Sequence, residues 1–77
     1  YTPVMFLPTN ITLQFGDSGD YVAELQRRLV ARQCLARGMI TALYDGPTVS
    51  AVRTFQIAEG LPGDGVAGPE TLRRLNG

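Results

Sequence analysis

The sequence has no histidine, no lysine and only one cysteine, Cys34. Each absence removes a class of chemistry. Without histidine there is no His/Cys zinc site and no Ser-His-Asp or Cys-His nucleophile system. The commonest general base at neutral pH is missing as well. A single cysteine forbids an intrachain disulfide. Two carboxylates could still form a glycosidase pair. The seven acids are scattered, however, and 77 residues leave little room for a cleft around a sugar. The expectation is therefore no catalytic residue, no metal and no cofactor: a binding module and not an enzyme.

An excess of charge of either sign is lacking too. Seven arginines balance seven acids, for a formal net charge of zero. That leaves no electrostatic footprint for general nucleic-acid binding. No apolar run approaches the ~20 residues that span a bilayer. The longest, Val4-Met5-Phe6-Leu7, lies between Pro3 and Pro8. There is no signal-peptide pattern and no initiator Met, so Tyr1 is expected to open a cut or processed chain. The length suits one domain with a limited core held by packing alone.

What is present reads as helices separated by turns. Residues 1–15 form an extended arm or linker, in which Ile11-Thr12-Leu13-Gln14-Phe15 alternates like a short strand. Gly16-Asp17-Ser18-Gly19-Asp20 is a turn rich in N-cap residues. Val22, Leu25 and Leu29 then recur as one apolar stripe, predicting a helix over about residues 19–33. Glu24 can pair with Arg28 at i+4. A loop over residues 34–46 ends at Asp45-Gly46, and Pro47 suits the start of a second helix over about 47–59. Gly60 and Pro62 end it. Gly68-Pro69 repeats the Gly46-Pro47 entry and opens a third helix over about 69–75. Val22-x-x-Leu25-Gln26 and Val52-x-x-Phe55-Gln56 mark a weak internal repeat. The expected fold is all-α, a compact three-helix bundle over residues 16–77 preceded by the arm.

Two strings carry a resemblance. The first is Gly16-Asp17-Ser18-Gly19-x-x-Val22-x-x-Leu25-Gln26-x-x-Leu29. The second is Thr48-x-x-Ala51-Val52-x-x-Phe55-Gln56-x-x-x-Gly60-Leu61-x-x-Asp64-Gly65-x-x-Gly68-Pro69-x-Thr71-x-x-x-Leu75. In this order they resemble the bacterial peptidoglycan-binding domain of the three-helix type, over about residues 15–76. The resemblance implies a non-catalytic module that targets a larger envelope protein to murein. It also implies an extracytoplasmic location and a monomeric domain within a longer chain. The partner would be peptidoglycan glycan or stem peptide, with no nucleic acid and no membrane insertion. One departure stands out. Family members usually carry Asp-Gly, an aromatic and Gly-Pro before the second helix, whereas counting back from Thr48 places Thr41-Ala42 at the Asp-Gly position. A loop of different shape is expected there.

A reader of murein needs amide-bonding groups, a flat aromatic face and arginines for carboxylates. Tyr44, beside a turn, and Tyr21 are the candidate sugar platforms. Arg53 has no acid three or four residues away on its helix and is the candidate carboxylate clamp. Asp45 and Asp64, in Asp-Gly turns, are further ligand candidates. Gln26, Gln56, Gly46, Pro47, Gly68 and Pro69 read as structural, the glutamines pinning loops by bonding buried backbone groups. The alternative function is a protein–protein docking module in an envelope or secretion assembly, which the apolar arm and the variant loop favour.

Overall fold

The computed structural model describes residues 7–76. Three helices follow one another: α1 (Asp20–Ala31), α2 (Gly46–Ala58) and α3 (Pro69–Asn76). A 3-10 turn at Arg37–Met39 lies inside the segment expected as plain loop. Both long helices begin and end within about two residues of their expected bounds, because their punctuation is local. Asp45 caps α2 through its side chain, Pro47 sits in the first turn, and Gly60 at φ 77° follows the last. Leu61 N–H then closes a Schellman bond to the Gln56 carbonyl at 2.8 Å. The end of α1 is built the same way, with Gln33 at φ 62° and Cys34 N–H on the Leu29 carbonyl at 2.9 Å.

The apolar stripes meet in one core of Val22, Leu25, Leu29, Val52, Phe55, Leu72 and Leu75. Arg28 of α1 and Arg32, the residue that caps its C-terminus, reach across to the C-terminal end of α3. Arg28 Nη1 donates to the Leu75 carbonyl at 3.3 Å and Arg32 Nη2 to the Arg74 carbonyl at 3.2 Å. Cations there satisfy orphan carbonyls and oppose the negative end of the helix dipole. Arg32 also lies over the Phe55 ring, 5.5 Å from its centroid.

Residues 7–15 are laid against this body. Leu7 and Leu13 are buried in the same core. The strand expected over 11–15 is reduced to an isolated antiparallel bridge between Leu13 and Ala67, since no neighbouring pair extends it. Leu7 is gripped by the Asn76 amide, which accepts from its N–H and donates to its carbonyl, both at 2.8 Å. The expectations for residues 1–6 lie outside the described residues. Among those described, no helix is long and apolar enough to cross a membrane.

Candidate functional site

The internal repeat becomes physical in two glutamine-anchored turns. Gln56, buried on α2, donates from Nε2 to Val66 O (2.8 Å), Asp64 Oδ1 (3.0 Å) and Thr71 Oγ1 (3.0 Å), and accepts from Gly65 N–H (3.0 Å). Gln26, buried on α1, donates to Leu43 O (2.9 Å) and Thr48 Oγ1 (2.8 Å) and accepts from the N–H groups of Thr41 and Ala42, both at 2.9 Å. Position for position, Thr41-Ala42-Leu43-Tyr44 therefore matches Asp64-Gly65-Val66-Ala67, and Thr48 matches Thr71. No buried side-chain polar atom among the described residues lacks a partner.

This pairing corrects the expected change of loop shape. Ala42 adopts φ 63° where Gly65 has φ 77°, so the Thr41-Ala42 turn keeps the backbone that Asp-Gly would take. Thr41 Oγ1 accepts from Leu43 N–H at 3.3 Å, as Asp64 Oδ1 accepts from Val66 N–H at 2.9 Å. The glutamine imposes the shape, and the sequence bends to it. The pairing also shifts the Gly-Pro register: Gly46 stands opposite Pro69, and Asp45 opposite Gly68.

Tyr44 needs a second correction. It is fully buried, and its hydroxyl donates to the Gly65 carbonyl at 2.6 Å. Burial pushes its phenol above the ordinary range. A ring with no open face cannot be a sugar platform; Tyr44 ties the first turn to the second. Asp45 is spent locally, its Oδ1 accepting from Thr48 Oγ1 (2.8 Å) and Thr48 N–H (3.2 Å). The Thr48 hydroxyl bond, first among several, holds its carboxyl below the usual range. Asp64 is held low in the same way, by Val66 N–H and then Gln56. Tyr21 is half exposed at the start of α1. Arg53 is exposed and runs beside the Gly63–Gly65 turn, where a Cβ on Gly63 would lie 3.2 Å from its Cγ. The structure does not bring Tyr21, Tyr44 and Arg53 together on one surface: Tyr44 is inside.

What the second turn does create is a cleft of about 200 Å³. Buried Gln56 and Thr71 form its base, Leu61, Pro62, Val66 and Pro69 give apolar walls, and Asp64, Gly68 and Glu70 complete it. Of the expected ligand residues only Asp64 lines it. Glu70 is neutralised by Arg73 and Arg74, both at 3.1 Å. Thr71 and the apolar walls were missed. The available signal was a threonine at the same place in both units, on the face that otherwise carries core residues.

The family model for the peptidoglycan binding domain matches residues 18–75. The chain belongs to this family. The peptidoglycan-binding domain here is 38% identical over 65 residues to a zinc D-Ala-D-Ala carboxypeptidase of Streptomyces albus G, covering 83% of this chain and 26% of that protein. It is 47% identical over 68 residues to the N-acetylmuramoyl-L-alanine amidase CwlM of Mycobacterium tuberculosis, covering 80% of this chain and 16% of the relative. The domain thus spans about a quarter or less of these curated relatives. Among solved structures, the SleB N-terminal domain superposes with a TM-score of 0.81 at 39% identity, covering 86% of this chain and 89% of that one. A peptidoglycan-binding protein from Clostridioides difficile gives 0.82 at 31% identity, covering 88% and 42%. The three-helix fold of the peptidoglycan-binding domain is the fold of this chain.

Proposed function

We propose that this domain is a non-catalytic module that attaches a larger extracytoplasmic protein to peptidoglycan, and that the cleft between the Asp64 turn and α3 is where murein docks. The cleft carries the proposal. It is a concave, apolar-walled feature of the described surface with polar groups among its lining, which is the usual form of a small-ligand site. The match to cell-wall enzymes over only a small share of their length supports a role as an accessory part. The chemistry of the site supports it too. Val66 N–H and Gln56 hold the Asp64 carboxyl below the usual range, so it does not suit a general acid at neutral pH. Arg53, beside the same turn, is placed to reach a flanking part of the polymer. Tyr21 belongs to the other unit and would be a peripheral contact at most.

Purified murein sacculi provide the test. The wild-type domain is expected in the pellet. Pro62→Arg, at an exposed wall position, is expected to fill the cleft and remove pelleting while leaving the melting temperature unchanged. Wild-type protein that pellets no better than a control protein would end the murein reading. Pelleting of Pro62→Arg at the wild-type level would move the site elsewhere.

A second reading has a specific observation behind it. Phe15 (70% exposed) and Leu43 (48%) are large apolar groups at the surface beside the Ser18–Leu43 bridge. They suit contact with another protein domain. Pull-down of a protein that murein does not displace would favour that reading.

A further inference from the structure

The two quasi-equivalent units differ in what their buried threonine can donate to, and the cleft lies beside the threonine that has no acceptor. In the first unit the polar cluster closes on itself. Thr48 Oγ1 accepts from Gln26 and donates to Asp45 Oδ1 at 2.8 Å. In the second unit Thr71 Oγ1 accepts from Gln56 at 3.0 Å, but the position of Asp45 is taken by Gly68, which has no side chain. Thr71 is only 4% exposed, and among the described residues its hydroxyl proton has no acceptor. Asp64 shows the complementary gap. Its Oδ1 takes both Gln56 Nε2 and Val66 N–H, and Oδ2 takes neither. The cleft therefore presents one buried hydroxyl donor and one fixed carboxylate acceptor between apolar walls.

We propose that this cleft reads a secondary amide bearing a small apolar group. Its carbonyl accepts from Thr71 Oγ1, its N–H donates to Asp64 Oδ2, and its methyl or methylene lies on Pro62 and Leu61. The proposal rests on the reading that the cleft is the murein site. Other chemistries fit less well. A carboxylate would satisfy Thr71 but meet Asp64 as a like charge, and no arginine lines the cleft to offset it. An ammonium group would suit Asp64 but offers no acceptor to Thr71, whose hydroxyl proton would stay buried without one. An acetamido group has four non-hydrogen atoms and displaces roughly three or four waters at ~30 Å³ each. That fits a cleft of about 200 Å³ with room for part of a ring. Two sources in murein share this chemistry: the acetamido group of its amino sugars and the peptide bonds of its stems.

Calorimetric titration of the 77-residue chain separates them. The probes are an N-acetylglucosamine tetramer, its fully deacetylated counterpart, and a short stem-type peptide with a blocked amine. The acetylated tetramer or the peptide is expected to bind, and whichever binds identifies the source. The deacetylated tetramer should bind at least tenfold more weakly than the acetylated one if the sugar is the source. Its positive charge favours approach to Asp64, which makes that comparison conservative. Thr71→Val is expected to weaken binding about tenfold. The fold should survive, because the two Nε2 protons of Gln56 keep Asp64 Oδ1 and Val66 O as acceptors. Asp64→Asn keeps an oxygen for the turn, turns the other acceptor into a donor, and should weaken binding similarly. Thr71→Ser should bind as wild type. Equal binding of the two tetramers with no binding of the peptide would overturn the proposal, as would wild-type affinity in Thr71→Val. If sacculi pellet the domain but neither amide probe binds, the amide proposal fails and the murein reading stands. If sacculi also fail, both fail.

Discussion

Ala42 carries the clearest local cost in the molecule. An L-residue with a Cβ at φ 63° sits in the left-handed region at a penalty of about 1–2 kcal/mol, whereas Gly65 at φ 77° does the same work without it. Ala42→Gly is expected to stabilise the domain by about 0.5–1 kcal/mol after the added unfolded-state entropy of glycine is counted. In a thermal melt this is a rise of a few degrees. Gly65→Ala should do the opposite and by more, about 2 kcal/mol or above. Its new Cβ would lie 2.8 Å from Val49 Cγ1 as well as taking the strained φ. Equal and small effects at the two positions would show that the turns are not the quasi-equivalent pair that their glutamines indicate. Alanine gives no sign in the sequence that it occupies this conformation, which is why the loop was expected to differ. Tyr44 was illegible for a related reason. Its hydroxyl partner is a backbone carbonyl 21 residues away, and no local pattern announces such a bond.

The helices were legible because their signals are local. Asp45 with Pro47, Gly60, and Pro69 mark boundaries by fixing or freeing single backbone angles and by capping orphan N–H groups. The cleft was not legible, since it is assembled from the end of α2, the turn after it and the start of α3. Asp45 and Asp64 also make stability depend on pH. Each carboxyl is held below its unfolded value near 3.9. Its contribution is therefore fully present above that value and is lost as the pH falls through the folded one. Urea midpoints measured from pH 5 to pH 2 are expected to fall more steeply for the wild type than for Asp45→Asn/Asp64→Asn, which keeps an acceptor oxygen at both turns but cannot be protonated there. Parallel profiles would remove these two groups from the acid transition.

The molecule as a whole is larger than its family match, which begins at residue 18. Leu7 and Leu13 are 1% and 7% exposed, in the same core as the helices. Burying two leucines is worth roughly 3–6 kcal/mol. A domain of this size has only about 4–11 kcal/mol in total. Deleting residues 1–13 is expected to lower the urea midpoint by about half and to leave part of the protein unfolded at 37 °C. An unchanged midpoint would show the arm to be dispensable. The Asn76 amide that holds both polar groups of Leu7 sets one more property. It brings the two extremities of the described body side by side. Tension applied through both would load these two bonds head-on and break them one after the other, like a zip, rather than shearing many at once. The seam between residue 7 and the last residue of α3 is therefore expected to open first under load, before the core that lies behind it.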